Sequence, residues 1–126
     1  SIEEFVKRAH EEICVLVQVE TEDAMKNIES ICAVDGVDGV FIGPADLHAS
    51  MGYPGETSNP KIIPLIEDAM RRIGKAGKAP GYLTPVEADA RRMLAAGTLF
   101  CAVGADVGLL ARSAEALCAK FKEPGQ

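Results

Sequence analysis

The sequence predicts an α/β fold: a leading helix followed by four consecutive βα units with parallel strands, the C-terminal half of a TIM-type (β/α)₈ barrel. Three observations lead there. Apolar runs of strand length stand at Ile13–Val19, Val37–Ile42, Ala79–Leu83 and Leu99–Val103, and each is followed by helix-start signals and an amphipathic stretch. Strict alternation of this kind joins parallel strands through right-handed crossovers. The chain leads with a helix, opens on Ser1 rather than Met, and has 126 residues, where a complete barrel typically needs about 250. So abrupt a start is expected of a fragment, or of one chain of a barrel whose other half lies elsewhere. An open doubly wound sheet is the alternative that the same alternation allows.

The first helix carries Ile2, Phe5, Val6 and Ala9 on one stripe, with His10 on its polar side and without an assigned role. Ile13–Val19 is a continuous, β-branched run, as expected for a parallel strand covered on both faces. Glu20 closes it. Thr21 is placed to cap the next helix, with Glu22 and Asp23 in the first turn, and that helix is expected to run to about Ala33. Val37–Ile42 is the second strand, and a long irregular loop is expected from Gly43 to Ser58.

Asn59-Pro60 reads as a cap with proline at the first helical position, opening a helix that buries Ile62, Ile63, Leu65, Ile66, Ala69, Met70 and Ile73. Gly74 and Gly77 end it. After the strand Ala79–Leu83, Thr84-Pro85-Val86-Glu87 has the form of a capping box, and its helix is expected to reach Ala96 and stop at Gly97. Leu99–Val103 is the last strand. The final helix is expected to face inward with Leu110, Ala114, Leu117, Cys118 and Phe121, before a frayed tail, Glu123–Gln126. One domain over residues 1–126 is expected, with unpaired apolar edges at the first and last strands that need a missing half or a partner chain to cover them.

Composition narrows the function classes. With 48% hydrophobic residues and no apolar run of membrane-spanning length, the chain reads as soluble and globular. A formal charge of -6 argues against nucleic acid and against an anionic membrane surface as partners. Cys14, Cys32, Cys101 and Cys118 are far apart, without metal or redox spacing, and read as reduced thiols packed as small hydrophobes. With no secretory leader, a reducing cytoplasm is the expected location.

The chemistry is expected at the carboxyl ends of the first two strands. There Glu20 ends one strand and Gly43-Pro44 delivers Asp46 just past the other. Neighbouring parallel strands lie about 4.8 Å apart, so the two carboxylates can share a point, where they repel unless a cation or a proton sits between them. An all-oxygen donor set favours a hard divalent ion, magnesium or manganese. The plainer reading makes both residues exposed turn and cap acids.

Gln18 faces the same side as Glu20, so its amide is either a partner for a substrate oxygen or a structurally bonded one. His48 is a candidate base or an exposed loop histidine. A Schiff-base lysine is not in place, since Lys75 and Lys78 precede the third strand, at the opposite end. No Ser-His-Asp order, dinucleotide fingerprint or P-loop occurs.

Taken together, Val17-Gln-Val-Glu-Thr21, Gly36-Val-Asp-Gly-Val-Phe-Ile-Gly-Pro-Ala-Asp-Leu47, Met51-Gly-Tyr53, Gly77-Lys-Ala-Pro-Gly81 and Phe100-Cys-Ala-Val-Gly-Ala-Asp106 resemble the C-terminal half of the metal-dependent pyruvate aldolases of the HpcH/HpaI family. The resemblance spans nearly the whole chain. It implies a (β/α)₈ barrel in which Glu20 and Asp46 bind a divalent metal, magnesium or manganese with cobalt a third candidate. It further implies that Gln18 lines the pocket and that the backbone around Gly43, Ala45 and Asp46 holds the carboxylate of pyruvate. The implied activity is reversible cleavage of a 4-hydroxy-2-oxo acid to pyruvate and an aldehyde, in aromatic-compound catabolism 4-hydroxy-2-oxoheptanedioate to pyruvate and succinic semialdehyde. The metal would act as a Lewis acid on the 2-oxo acid.

Related members act on keto-deoxy sugar acids, and a half barrel that only binds metal and 2-oxo acid is the non-catalytic alternative. The family's barrels tend to exchange the last helix and assemble as hexamers, so Gly104 to Phe121 is expected to pack on a neighbour. Two departures stand out. The family motif usually continues with Ser where this chain has His48, which is expected to alter the second-substrate side of the pocket. The family's acid-base arginine and histidine lie on strands that would precede Ser1, so no catalytic residue is assigned within this chain.

Overall fold

A computed structural model describes residues 1–122; the expected frayed tail, Glu123–Gln126, lies outside the described residues. The elements run α1 (Ile2–Glu12), β1 (Leu16–Val19), α2 (Glu22–Lys26), α3 (Ile28–Cys32), β2 (Gly39–Ile42), α4 (Pro44–Ser50), α5 (Ile63–Lys75), β3 (Ala79–Leu83), α6 (Glu87–Ala95), β4 (Phe100–Ala102) and α7 (Asp106–Ala119). The four strands form one sheet in the order β1-β2-β3-β4, every pair parallel, as the alternation requires.

The register sorts the side chains onto two faces. Val19, Ile42, Tyr82 and Cys101 form one row, and Gln18, Phe41, Gly81 and Phe100 form the row one residue earlier, which points the opposite way. The first face meets the helices. Val19, Val40, Ile42 and Tyr82 are buried there against Ile28, Ile66, Met70 and Ile73. Burying a side chain of this size stabilises by about 1.5–3 kcal/mol, so α5, with Ile63, Ile66, Met70 and Ile73 all buried, is the main helical anchor. The other face has no helix across it: Leu16 and Phe100 are exposed, and Phe41 is half-buried with its ring centroid 5.9 Å from that of Phe100.

Several boundaries differ from the sequence expectation, each for a local reason. β1 begins at Leu16, not Ile13, because β2 begins at Gly39, its register partner; Val15 O still accepts from Asp38 N–H at 2.9 Å, but its own N–H turns to a side chain. Val15 N–H donates to the Asp38 carboxylate at 2.7 Å. As an edge strand β1 is not covered on both faces: Leu16 and Gln18 are exposed. The helix expected from Glu22 to Ala33 is two short helices, broken at Asn27, whose side-chain amide donates to Asp23 O at 2.8 Å and competes with the helical ladder. Thr21 caps α2 as expected, its hydroxyl accepting from Ala24 N–H.

The stretch expected to be irregular from Gly43 holds helix α4, with Pro44 at its first position. The next helix starts at Ile63 rather than at Pro60. Asn59 Oδ1 accepts from Lys61 N–H and builds a turn ahead of it. Thr84 forms no capping box. Its hydroxyl accepts from Val86 N–H at 3.2 Å, a tight turn that delays α6 to Glu87.

Gly77 and Gly97 do end their helices, at φ of 78° and 108°. Lys78 N–H reaches Ile73 O and Thr98 N–H reaches Met93 O, a Schellman closure in both cases.

The largest departure concerns the two terminal helices. Neither α1 nor α7 buries a residue: Ile2, Phe5 and Val6 are exposed, and so are Leu110, Ala114, Leu117, Cys118 and Phe121, expected to face inward. Their apolar stripes are real, but no other element among the described residues covers them. Of the cysteines, all free, Cys32 is buried, Cys101 half-buried, and Cys14 and Cys118 exposed rather than packed as small hydrophobes. Among the described residues no helix is long and apolar enough to cross a membrane.

Candidate active site

A cavity of about 410 Å³ opens where β1, β2 and β3 end, bounded by Gln18, Phe41, Gly43–Asp46, Thr57 and Tyr82–Pro85. Its position follows from the topology. Parallel strands all deliver their carboxyl ends to one edge of the sheet, and the segment after each strand forms the wall.

Gln18 and Glu20 stand on one face of β1, two residues apart, and Gln18 Nε2 donates to Glu20 Oε2 at 2.7 Å. Gly43, the residue after β2, lies directly beneath this pair. A Cβ at that position would sit 2.6 Å from Gln18 Nε2 and 3.0 Å from Glu20 Oε2, so any larger residue would push the ends of both side chains aside. Gly43 has φ -86°, an ordinary value, so the glycine is needed for space and not for backbone freedom.

Beyond it, α4 turns Asp46 into its first helical turn, exposed on the cavity wall. The first intrahelical bond of α4 runs from Leu47 N–H to Gly43 O at 3.0 Å, so the amides of Ala45 and Asp46 come before the ladder begins. Of the candidate site residues, Gln18, Gly43, Ala45 and Asp46 line one cavity. Glu20 is joined to it through Gln18 and Gly43.

His48 does not belong to this cavity wall. It is wholly buried on the opposite side of α4, where Nδ1–H donates to Pro44 O at 2.7 Å and Nε2 accepts from Asn59 N–H at 3.0 Å. An engaged, buried imidazole is neither a free base nor an exposed loop histidine, and it does not itself face a second substrate. Lys75 and Lys78 lie before β3, at the far end of the sheet, as expected.

Sequence reasoning missed Thr57 and the Tyr82–Pro85 wall. Leu83 and Thr84 were within reach of the rule that segments after parallel strands form the site, but Thr57 carries no local signal, since only the fold of its loop brings it to the cavity.

The donor set fits a hard cation. Asp46, the Gln18 amide and backbone groups line the cavity, Glu20 is joined to it through Gln18, and no thiol or imidazole lines the wall. Among the described residues no group of three or more His, Cys, Asp or Glu is placed to hold a metal ion.

Residues 1–113 match the model of the HpcH/HpaI aldolase/citrate lyase family. A 4-hydroxy-2-oxo-heptane-1,7-dioate aldolase from Shigella sonnei (strain Ss046) is 54% identical over 120 residues, which are 95% of this chain and 46% of that protein. A solved HpcH/HpaI aldolase/citrate lyase family protein from Burkholderia cenocepacia J2315 superposes with a TM-score of 0.86 at 31% identity, over 97% of this chain and 48% of the other. An HpcH/HpaI aldolase from Desulfitobacterium hafniense DCB-2 gives a TM-score of 0.80 at 29% identity, over 99% and 49%. The chain spans about half the length of the curated relatives it matches. The solved relatives are (β/α)₈ barrels, so the four-stranded sheet corresponds to about half of that architecture.

Proposed function

The chain belongs to the HpcH/HpaI aldolase/citrate lyase family, and from that membership we propose that residues 1–126 form the C-terminal half barrel of a metal-dependent aldolase, carrying its metal and pyruvate subsite. One observation carries the reading: Gln18 and Glu20 are packed side by side over Gly43, at the mouth of the cavity that Asp46 lines. The substrate is 4-hydroxy-2-oxoheptanedioate, cleaved reversibly to pyruvate and succinic semialdehyde, a reading supported by relatives of that name at 53–54% identity.

Glu20 and Asp46 would hold a divalent cation, magnesium or manganese, with cobalt a third candidate. When bound, the ion supplies a Lewis acid that offsets negative charge on the keto oxygen of a 2-oxo acid as its carbon-carbon bond breaks. The protein's own groups do the positioning. Gln18 donates to Glu20 Oε2 and so fixes which carboxylate oxygen remains open, while the amides of Ala45 and Asp46 bind the substrate carboxylate. Phe41, Tyr82 and Leu83 line the inner wall and limit water.

Among the described residues the cavity wall holds no histidine, lysine or arginine. The groups that protonate and deprotonate the substrate therefore come from a second half of the barrel, whose strands would also cover Leu16 and Phe100 and pair with the edges of β1 and β4. In the assembled protein, a homo-oligomer of hexamer type, the exposed apolar stripe of α7 packs on a neighbouring subunit. Four free cysteines suit a reducing cytoplasm. Nucleic acid and membranes are not partners in this reading, and aromatic-compound catabolism is its setting.

The test is pyruvate release from 4-hydroxy-2-oxoheptanedioate by the complete barrel that carries residues 1–126 together with its second half, with manganese and with chelator, alongside Glu20→Gln and Asp46→Asn. Chelator-sensitive release that both substitutions abolish supports the reading. Release that persists in chelator, or in both variants, sinks it.

An observation also favours a second reading. The open face and unpaired edges of the sheet leave these residues able to bind metal and 2-oxo acid without turning substrate over. Metal-dependent pyruvate binding with no cleavage even when the second half of the barrel is present is its signature.

A further inference from the structure

His48 is the most heavily engaged side chain near the cavity, and the mechanism above does not use it. Its imidazole is fully buried and joins Pro44 to Asn59. Because a backbone amide can only donate, the bond from Asn59 N–H leaves Nε2 without a proton and places the ring proton on Nδ1, which points at Pro44 O. The carbonyl of His48 in turn accepts from Tyr53 N–H at 2.8 Å.

One residue thus holds both ends of the segment from Tyr53 to Asn59. That segment contains Gly55 at φ 84° and is closed internally by Glu56 N–H to Tyr53 O at 3.3 Å and by Asn59 Nδ2 to Glu56 Oε2 at 2.8 Å. Inside this ring lies Thr57, on the cavity wall, with no hydrogen bond of its own among the described residues. The other end of the imidazole reaches Pro44, adjacent to Ala45 and Asp46 on the same wall.

We infer that His48 is a positioning residue: by tying Asn59 to Pro44 it holds the Thr57 hydroxyl against the part of the substrate beyond the pyruvate unit, and so sets selectivity for the aldehyde. This deepens the aldolase reading and rests on it. Thr57 offers one hydroxyl to an oxygen of the aldehyde portion. The Pro44 end of the imidazole borders the pyruvate subsite at Ala45 and Asp46, so pyruvate binding is the control that tells the two walls apart.

Three variants separate the roles: His48→Ala, His48→Gln, whose carbonyl reaches the place of Nε2 and keeps an acceptor for Asn59 N–H, and Thr57→Val. Amide hydrogen exchange, manganese-dependent binding of pyruvate, and KM for 4-hydroxy-2-oxoheptanedioate are measured on each, in the complete barrel that carries the second half. In His48→Ala, exchange across residues 53–59 should rise roughly tenfold or more while α5 is unchanged. KM should rise roughly three- to tenfold with pyruvate affinity held. His48→Gln should restore both. Thr57→Val should raise KM alike while leaving exchange as in the unsubstituted protein.

Unchanged exchange in His48→Ala, pyruvate affinity falling in step with KM, or an unaltered KM in Thr57→Val each overturns the assignment. If His48→Ala does not fold, His48→Gln and Thr57→Val still decide it. Should the complete barrel that carries this chain release no pyruvate with manganese, the aldolase reading falls and this assignment falls with it, an outcome visible before any variant is compared.

Discussion

Gln18 and Glu20 are joined by a 2.7 Å hydrogen bond on the same face of β1, and Gly43 of the neighbouring segment lies beneath both, closer than any side chain could. The pair is on an edge strand and only partly covered, so nothing in the core holds it in place. What holds it is the absence of a Cβ below. The consequence can be tested at the glycine itself.

Gly43→Ala should damage the site without damaging the fold. The backbone at Gly43 is in an ordinary conformation, so alanine strains nothing locally, but its Cβ would meet Gln18 Nε2 at 2.6 Å and Glu20 Oε2 at 3.0 Å. Displacing those groups by about an ångström should lower kcat/KM by up to roughly a hundredfold. Thermal unfolding should move little. Loss of stability in proportion to activity would show that the glycine serves packing instead.

Gly81 makes the converse case. It lies between Phe41 and Phe100, and a Cβ there would come within 2.6 Å of Phe41 Cδ2. Gly81→Ala should therefore cost about 1–3 kcal/mol by overpacking, read from the urea midpoint. Adding Phe41→Leu to the same chain should recover most of it, because the clash is with that ring. A double variant no more stable than Gly81→Ala would mean that the backbone, not Phe41, resists the new methyl.

Acid stability should depend on one ion pair that bridges α3 and α5. Arg72 donates from Nε and Nη2 to the two oxygens of Glu29, at 2.6 and 2.5 Å, and from Nη1 to Met25 O at 3.1 Å. These bonds from Arg72 hold the Glu29 carboxyl down from an ordinary 4.5 to about 2. A depressed carboxyl contributes stability that is complete above pH 4.5 and is lost as pH falls toward 2. Urea midpoints measured across that window should fall with acid, and Glu29→Gln should flatten the slope. An identical slope in the variant would assign the acid dependence to other groups.

At the alkaline end the corresponding group is Tyr82, buried behind the cavity and pushed up from 10.0 to about 12 chiefly by burial, with Asp89 adding to it. The unfolded chain loses the phenol proton first, so stability should be complete below pH 10 and decline between 10 and 12. Tyrosinate absorbance should show Tyr82 titrating late, and Tyr82→Phe should remove both the late step and its share of the decline. Early titration of both tyrosines would contradict the burial.

The order of elements was legible because it rests on signals that are local in the chain. Ala79–Leu83 is a strand over the bounds expected, Gly77 and Gly97 stop their helices, and Thr21 caps α2, each through bonds within a few residues. The errors also have local causes. Pro44 was available as a first-position signal for α4, but the loop reading passed over it. Thr84-Pro85-Val86-Glu87 has the letters of a capping box, yet its hydroxyl closes a shorter turn at Val86.

By itself, then, the sequence determined the alternation of parallel strands and helices, the edge of the sheet where a site forms, and the place of Gln18 and Asp46 at that edge, because period, turn chemistry and strand direction are properties of short segments; Gly43 and Ala45 entered through the family resemblance. Tertiary structure alone decided where Thr57 and His48 go. Asn59 comes back to an imidazole eleven residues earlier in the chain, and a contact of that kind depends on the path of the whole loop. It also decided which apolar faces are buried: α5 and α7 both carry apolar stripes, but only α5 has the sheet against it. Amphipathic periodicity tells a helix which side to bury, and burial itself requires a second surface that the helix does not encode.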